Sequence, residues 1–173
     1  MLGPACRLGG LLPRSFRPFR LPSLFGPPAL PRSGDPGLII DTSAVLAILL
    51  AENDAERYAH AIEGAHIRRM SAASYLEAAV VIDNRGDAVA SREFDLFFRR
   101  AAIAIEPVTF EQAQTARQAY RDFGKGRHPA GLNFGDCLSY ALAKSLDEPL
   151  LYKGHDFAQT DVERAGGENG TPG

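Results

Sequence analysis

The aliphatic run Leu38-Ile39-Ile40 passes directly into Asp41-Thr42-Ser43 and then into a helical, mostly apolar stretch from Ala44 to Leu50. Three consecutive aliphatics that lead straight into a helix read as a buried strand, and such strands belong to parallel sheets covered by helices. A carboxylate at the C-terminal mouth of that strand points into the crevice where open α/β sheets bind ligands. Asp41 also fits a plainer role, as a strand-end turn residue capping the next helix. Thr42 and Ser43 can cap equally well, so capping does not require Asp41 itself.

The rest of the body continues the alternation. The pattern predicts helices over 43–51 and 54–63, a strand over 67–71, and helices over 73–84 and 87–101. The last of these carries Phe94, Phe97 and Phe98 at helical spacing, and Gly86 supplies the stop before it. A short strand at 103–105 follows. Thr109, with Gln112 three residues on, forms a capping box for a helix reaching Phe123. A Gly/Pro-rich loop, 124–133, precedes a helix over 135–146 and a last strand over 149–152. Regular alternation of this kind predicts a three-layer α/β/α fold with a central, mainly parallel sheet.

Residues 1–36 differ in kind. They hold eight of the twelve Pro and five Arg against one acid, Asp35, a net of +4 that leaves −6 on the remaining 137 residues of a chain totalling −2. Proline at this density removes backbone donors and predicts a disordered leader, read most simply as a start upstream of the natural one near Leu38. Neither a secretory signal nor a membrane span fits it. Residues 37–165 form the expected domain, and the composition of 166–173 predicts a flexible tail. An acidic body has no overall basic field to draw nucleic acid. The two Cys, Cys6 and Cys137, argue against a disulfide framework and fit a reducing, cytoplasmic setting.

Four acids stand out. Besides Asp41, Glu77 lies in Tyr75-Leu76-Glu77-Ala78-Ala79-Val80-Val81-Ile82, apolar on almost every face, which predicts burial on most sides. A buried carboxylate needs a metal or an Arg or Lys partner. Asp136 follows Phe134-Gly135 at a helix start, where an acid also suits the dipole and where Asn133 is a rival cap. Asp156 sits just beyond the last strand. Converging carboxylates repel unless a divalent cation or shared protons offset the charge, so the pattern suggests metal-assisted chemistry on a phosphate-containing substrate. Ser43, Lys153 and His155 border the same crevice and are placed to contact phosphate, with plain solvent exposure as the competing reading. Arg68, Arg69, Arg85, Arg99, Arg100, Lys125 and Arg127 would supply backbone contacts to a nucleic acid unless they are ordinary surface charges. His60, His66, His128 and His155 show no zinc-like spacing with the cysteines, and a Walker-type loop is absent.

Over about residues 37–165 the chain resembles the PIN-domain ribonucleases, and within them the VapC-type toxins of bacterial toxin–antitoxin pairs. The resemblance rests on Ile39-Ile40-Asp41-Thr42-Ser43-Ala44, Ser74-Tyr75-Leu76-Glu77-Ala78, Asn133-Phe134-Gly135-Asp136-Cys137-Leu138 and the segment from Leu151 to Asp161. It implies Mg2+ or Mn2+ bound directly by Asp41 and Asp136, with Glu77 and Asp156 completing or supporting the site. It implies that Thr42 or Ser43 helps hold a bound water or phosphate. It also implies RNA cleavage, of tRNA or rRNA loops, a homodimer, and a cognate VapB-type antitoxin whose C-terminal segment occupies the acidic groove. The family often has Asn where this chain has His155, and Asp161 is an alternative outer acid. Rival classes fit less well. A haloacid-dehalogenase-like phosphatase needs a second Asp where Ser43 stands, and a receiver domain needs paired acids at the first strand. An inactive PIN-fold interaction module is the remaining alternative.

Overall fold

The structure, a computed structural model, describes residues 36–165. The expectations for the leader before Pro36 and for the tail after Ala165 lie outside the described residues. Four strands and six helices alternate: β1 (Gly37–Ile40), α1 (Thr42–Leu49), α2 (Ala55–Gly64), β2 (Ile67–Ser71), α3 (Ala72–Asp83), α4 (Ala88–Ala101), β3 (Ala104–Glu106), α5 (Phe110–Phe123), α6 (Phe134–Leu146) and β4 (Leu150–Leu151). The strand order is β3-β2-β1-β4, and every pairing is parallel. β1 is therefore interior, with Ile39 opposite both Arg69 of β2 and Leu150 of β4.

The period-2 alternation of β1 divides the core. Leu38 and Ile40 enter the apolar cluster formed with α1 to α4, whereas Ile39 enters the cluster formed with α5 and α6. β4 repeats the division, with Leu151 on the first side and Leu150 on the second. Ile39, Ile40 and Leu150 are fully buried, each contributing roughly 1.5–3 kcal/mol. The result is the three-layer α/β/α arrangement expected from the sequence. Boundaries follow the caps: Thr109 and Gln112 form the expected capping box of α5, and Gly86 takes a left-handed φ of 67° after α3.

α3 departs from expectation. Only Ser74, Ala78 and Ile82 are buried, a single stripe at every fourth position that packs against α1, α4 and α6. Leu76 is 62% and Val80 48% exposed, and Glu77 is exposed with them. Helix hydrophobicity on all sides reported an uncovered apolar face, not burial in this chain's own core.

Two arginines leave the set of nucleic-acid contacts. Arg68 is buried and donates to the carbonyls of Ala65, Ala101 and Glu63. Arg69 pairs with Glu106 and Glu148 under the sheet edge.

Candidate active site

Asp41 ends β1 and is the N-cap of α1. Its backbone N–H donates to the Leu151 carbonyl at 2.9 Å, so β4 fixes where the strand terminates. The carboxylate is only 3% exposed. Its Oδ2 accepts the Ser43 backbone N–H at 2.9 Å and the Ser43 hydroxyl at 2.6 Å, and its Oδ1 accepts the Ser139 hydroxyl at 2.7 Å. Three hydrogen bonds thus satisfy a deeply buried carboxylate and hold it in one orientation.

Glu77 reaches this region from α3. The Thr42 hydroxyl donates to its Oε2 at 2.8 Å and lies 3.1 Å from the Ser74 carbonyl. Glu77 also lies against the first turn of α6: a Cβ on Gly135 would meet Oε2 at 2.5 Å. Only glycine leaves space for the carboxylate there.

Asp136 sits at the third position of α6. Asn133, the cap, accepts from the Asp136 N–H at 3.0 Å, and Asp136 accepts from the Asn133 N–H at 2.7 Å. The two rival capping readings are thus both met, by reciprocal bonds. Burial pushes the Asp136 carboxyl up to about 6; the Asn133 N–H opposes this, and the negative charges of Asp41, Asp156 and Glu77 add to it. Three of the sequence-selected acids thus act electrostatically on the fourth, Asp136. Asp156 is exposed, ahead of the short turn Phe157–Gln159, which is anchored by buried Phe157 stacked 5.0 Å from Tyr152.

Thr42 and Ser43 give their hydroxyl protons to Glu77 and Asp41. Ser43 also accepts the Lys153 backbone N–H at 2.9 Å, which joins the β4 exit to the α1 cap. The Lys153 ammonium points to the α1–α2 turn, where it meets Glu52 and lies 2.7 Å from Asp54. These bonds raise its pKa and engage the charge that the sequence assigned to phosphate. His155 is exposed. Asp161 accepts from the Tyr140 hydroxyl at 2.6 Å and from Lys144 at 3.0 Å, an arrangement that holds its carboxyl below the usual range.

Sequence reasoning missed Ser74 and Ser139. Their hydroxyls lie 2.9 Å apart and both residues are buried. The available signal was the Asp136-x-x-Ser139 spacing, which sets both side chains on one face of α6.

The donors around this site are all oxygens, the chemistry of a hard divalent cation. Among the described residues, no three Asp, Glu, His or Cys side chains form a group able to hold a metal ion by themselves. The open arrangement suits a hard divalent ion that takes one or two carboxylates and leaves the rest of its coordination to water. The negative charges acting on Asp136 fit the same demand.

Residues 38–163 match the PIN domain family. Ribonuclease VapC28 of Mycobacterium tuberculosis is 57% identical over 129 residues, covering 74% of this chain and 97% of that protein. A VapC ribonuclease of Mycolicibacterium smegmatis is 54% identical over 125 residues, covering 72% and 97%. The crystal structure of Mycobacterium tuberculosis VapC20, described as a sarcin–ricin loop cleaving toxin, shares the fold with a TM-score of 0.59 at 13% identity, over 73% of this chain and 96% of that one. The chain belongs to the PIN-domain family, among its VapC ribonucleases.

Proposed function

We propose that this protein is a metal-dependent endoribonuclease, the toxin of a VapBC-type pair, with residues 37–165 as its active unit. The observation that carries the reading is the convergence at the exit of β1 of buried Asp41, held by Ser139 of α6, Glu77, held by Thr42 against Gly135 of α6, and Asp136 in the first turn of that helix, whose carboxyl burial and these neighbouring charges raise. Mg2+, with Mn2+ as substitute, is the ion such a site would take, held by Asp41 and Asp136 and supported by Glu77 and Asp156. A bound ion of this kind lowers the pKa of a water and offsets charge on the scissile phosphate. The chain's own residues set up the rest. Ser43 and Ser139 fix the orientation of Asp41, Asn133 fixes Asp136, and Thr42 holds Glu77 against Gly135. Thr42 and Ser43 thus serve the substrate through the acids they orient, and Lys153 reaches phosphate only by leaving Glu52 and Asp54.

The substrate is RNA, with a structured tRNA or rRNA loop as target, and the setting is the cytoplasm. Among the described residues no helix is long and apolar enough to cross a membrane. The partner is a VapB-type antitoxin that brings Arg to the same carboxylates. A second copy of the chain covers the apolar surface of Leu76, Val80 and Phe134, exposed by 62%, 48% and 78%, on either side of the Glu77–Gly135 contact. That surface continues into a groove of about 710 Å³ lined by Val108, Tyr120, Phe134 and Leu138.

The deciding experiment is cleavage of total cellular RNA with Mg2+ or Mn2+, against EDTA and Asp41→Ala controls. Fragments that vanish in both controls support the assignment. Cleavage that survives EDTA, or equal cleavage by a folded Asp41→Ala variant, refutes it.

A further inference from the structure

We propose that Ser139, backed by Ser74, is a positioning residue for Asp41. The inference rests on the reading of Asp41 as a metal-binding carboxylate and adds the device that aims it. An ionised carboxylate only accepts, so the 2.7 Å contact to Oδ1 commits the single Ser139 proton to Asp41. In the 2.9 Å contact between the two serines, Ser74 is then the donor. The protons run in one direction, Ser74 to Ser139 to Asp41. Ser74 is 0%, Ser139 1% and Asp41 3% exposed, so bulk water does not compete for these bonds.

The chain of hydroxyls is anchored at both ends. The Thr42 hydroxyl, which gives its proton to Glu77, lies 3.1 Å from the Ser74 carbonyl, so the first turn of α3 meets the α1 cap at its backbone and is tied to α6 by its side chain. α6 supplies two things from one face, the acid Asp136 and, three residues on, the hydroxyl that holds Asp41. With Ser43 occupying Oδ2 twice and Ser139 occupying Oδ1 once, about one of the carboxylate's roughly four acceptor positions stays open, and it lies on Oδ1. The Ser139 bond selects the direction in which that position faces. Losing it frees the carboxylate to rotate against Ser43, with the charge unchanged but its aim lost.

The test uses the full chain as wild type, Ser139→Ala, Ser74→Ala, the double variant and Asp41→Ala. Each is measured for Mn2+ affinity by calorimetry, for kcat and KM on a cleaved RNA at varied Mg2+, and for melting temperature in EDTA. Ser139→Ala is expected to weaken Mn2+ binding by about 10-fold or more, the range found when a group that orients a metal ligand is removed. Its kcat falls at fixed Mg2+, recovers at high Mg2+, and KM for RNA stays constant. Ser74→Ala gives a smaller loss in the same direction, and the double variant is no worse than Ser139→Ala, because Ser74 acts through Ser139. A Ser139→Ala protein that melts lower yet binds Mn2+ like wild type, with the wild-type Mg2+ requirement, overturns the proposal and leaves a structural serine. Should Ser139→Ala fail to fold, Ser74→Ala carries the same decision. If wild type binds no divalent ion and Asp41→Ala still cleaves, the site reading itself fails and this inference with it. If Asp41→Ala is dead and wild type binds Mn2+, only the serine result decides.

Discussion

Asp41 and Asp136 are both helix-start acids, yet their surroundings treat negative charge in opposite ways. Asp41 is the more deeply buried, but one backbone N–H and two hydroxyls converge on it. Asp136 is less buried and accepts a single bond, from Asn133, while three other carboxylates face it, and its carboxyl rises to about 6. Depth of burial alone does not set the cost of a charge. The count of donors aimed at it does. One acid is aimed by the framework at the proposed cation, and the other meets that cation with few donors of its own.

The strongest way to break this contrast is to remove each acid in turn. Asp41→Ala and Asp136→Ala both abolish RNA cleavage, but they part company in stability. Asp41→Ala strands the Ser139 and Ser43 donors and destabilises by on the order of 1–3 kcal/mol. Asp136→Ala relieves repulsion and melts in EDTA close to wild type. Urea titration of both distinguishes them, and equal destabilisation would collapse the comparison.

Gly135→Ala comes next. The added Cβ would lie 2.5 Å from Glu77 Oε2, so Glu77 must move, and displacement of a catalytic group by about 1 Å costs on the order of 100-fold in rate. Stability holds or improves, since Ala is the better helix residue. A rate close to wild type would show that Glu77 does not need its present place. Thr42→Val keeps the shape and deletes the donor to Glu77. Its cleavage rate should drop by about 10-fold, with rescue by Thr42→Ser.

The smallest expected effect is a pH signature. The Asp136 carboxyl, raised from 3.8 to about 6, holds its proton more tightly in the folded chain than in the unfolded one. Its contribution is therefore fully present below pH 3.8 and is lost as pH rises through about 6. In EDTA, the melting temperature of wild type relative to Asp136→Asn should decline across that window and level off above it. A flat difference would mean that Asp136 carries no such shift.

Much of this was legible in the sequence. The boundaries of β1, α1 and α5 follow from an aliphatic run, strand-end polar residues and a capping box, all local signals. Asp41 and Asp136 stood out for the same reason. What failed to read was non-local. The hydrophobic faces of α3 could not say whether this chain or another body covers Leu76 and Val80. Lys153 looked free because Glu52 and Asp54 stand about one hundred residues away in the chain, at separations of 101 and 99. Ser74 and Ser139 are 65 residues apart, and the Asp136-x-x-Ser139 spacing shows a shared helix face but not the partner that the hydroxyl meets across the fold. Arg68 on a short strand looks like a surface charge until three carbonyls are found around it.

The interior place of β1 has a consequence in time. The first of the described strands is flanked in the finished sheet by β2 and by the last of them, β4, and its acid accepts from a serine 98 positions later. Closing such distant contacts is slow and comes late in folding. A nascent chain interrupted before α6 lacks Asp136 and the hydroxyl bonded to Asp41, so the proposed metal-binding set cannot assemble on a ribosome until α6 has been made.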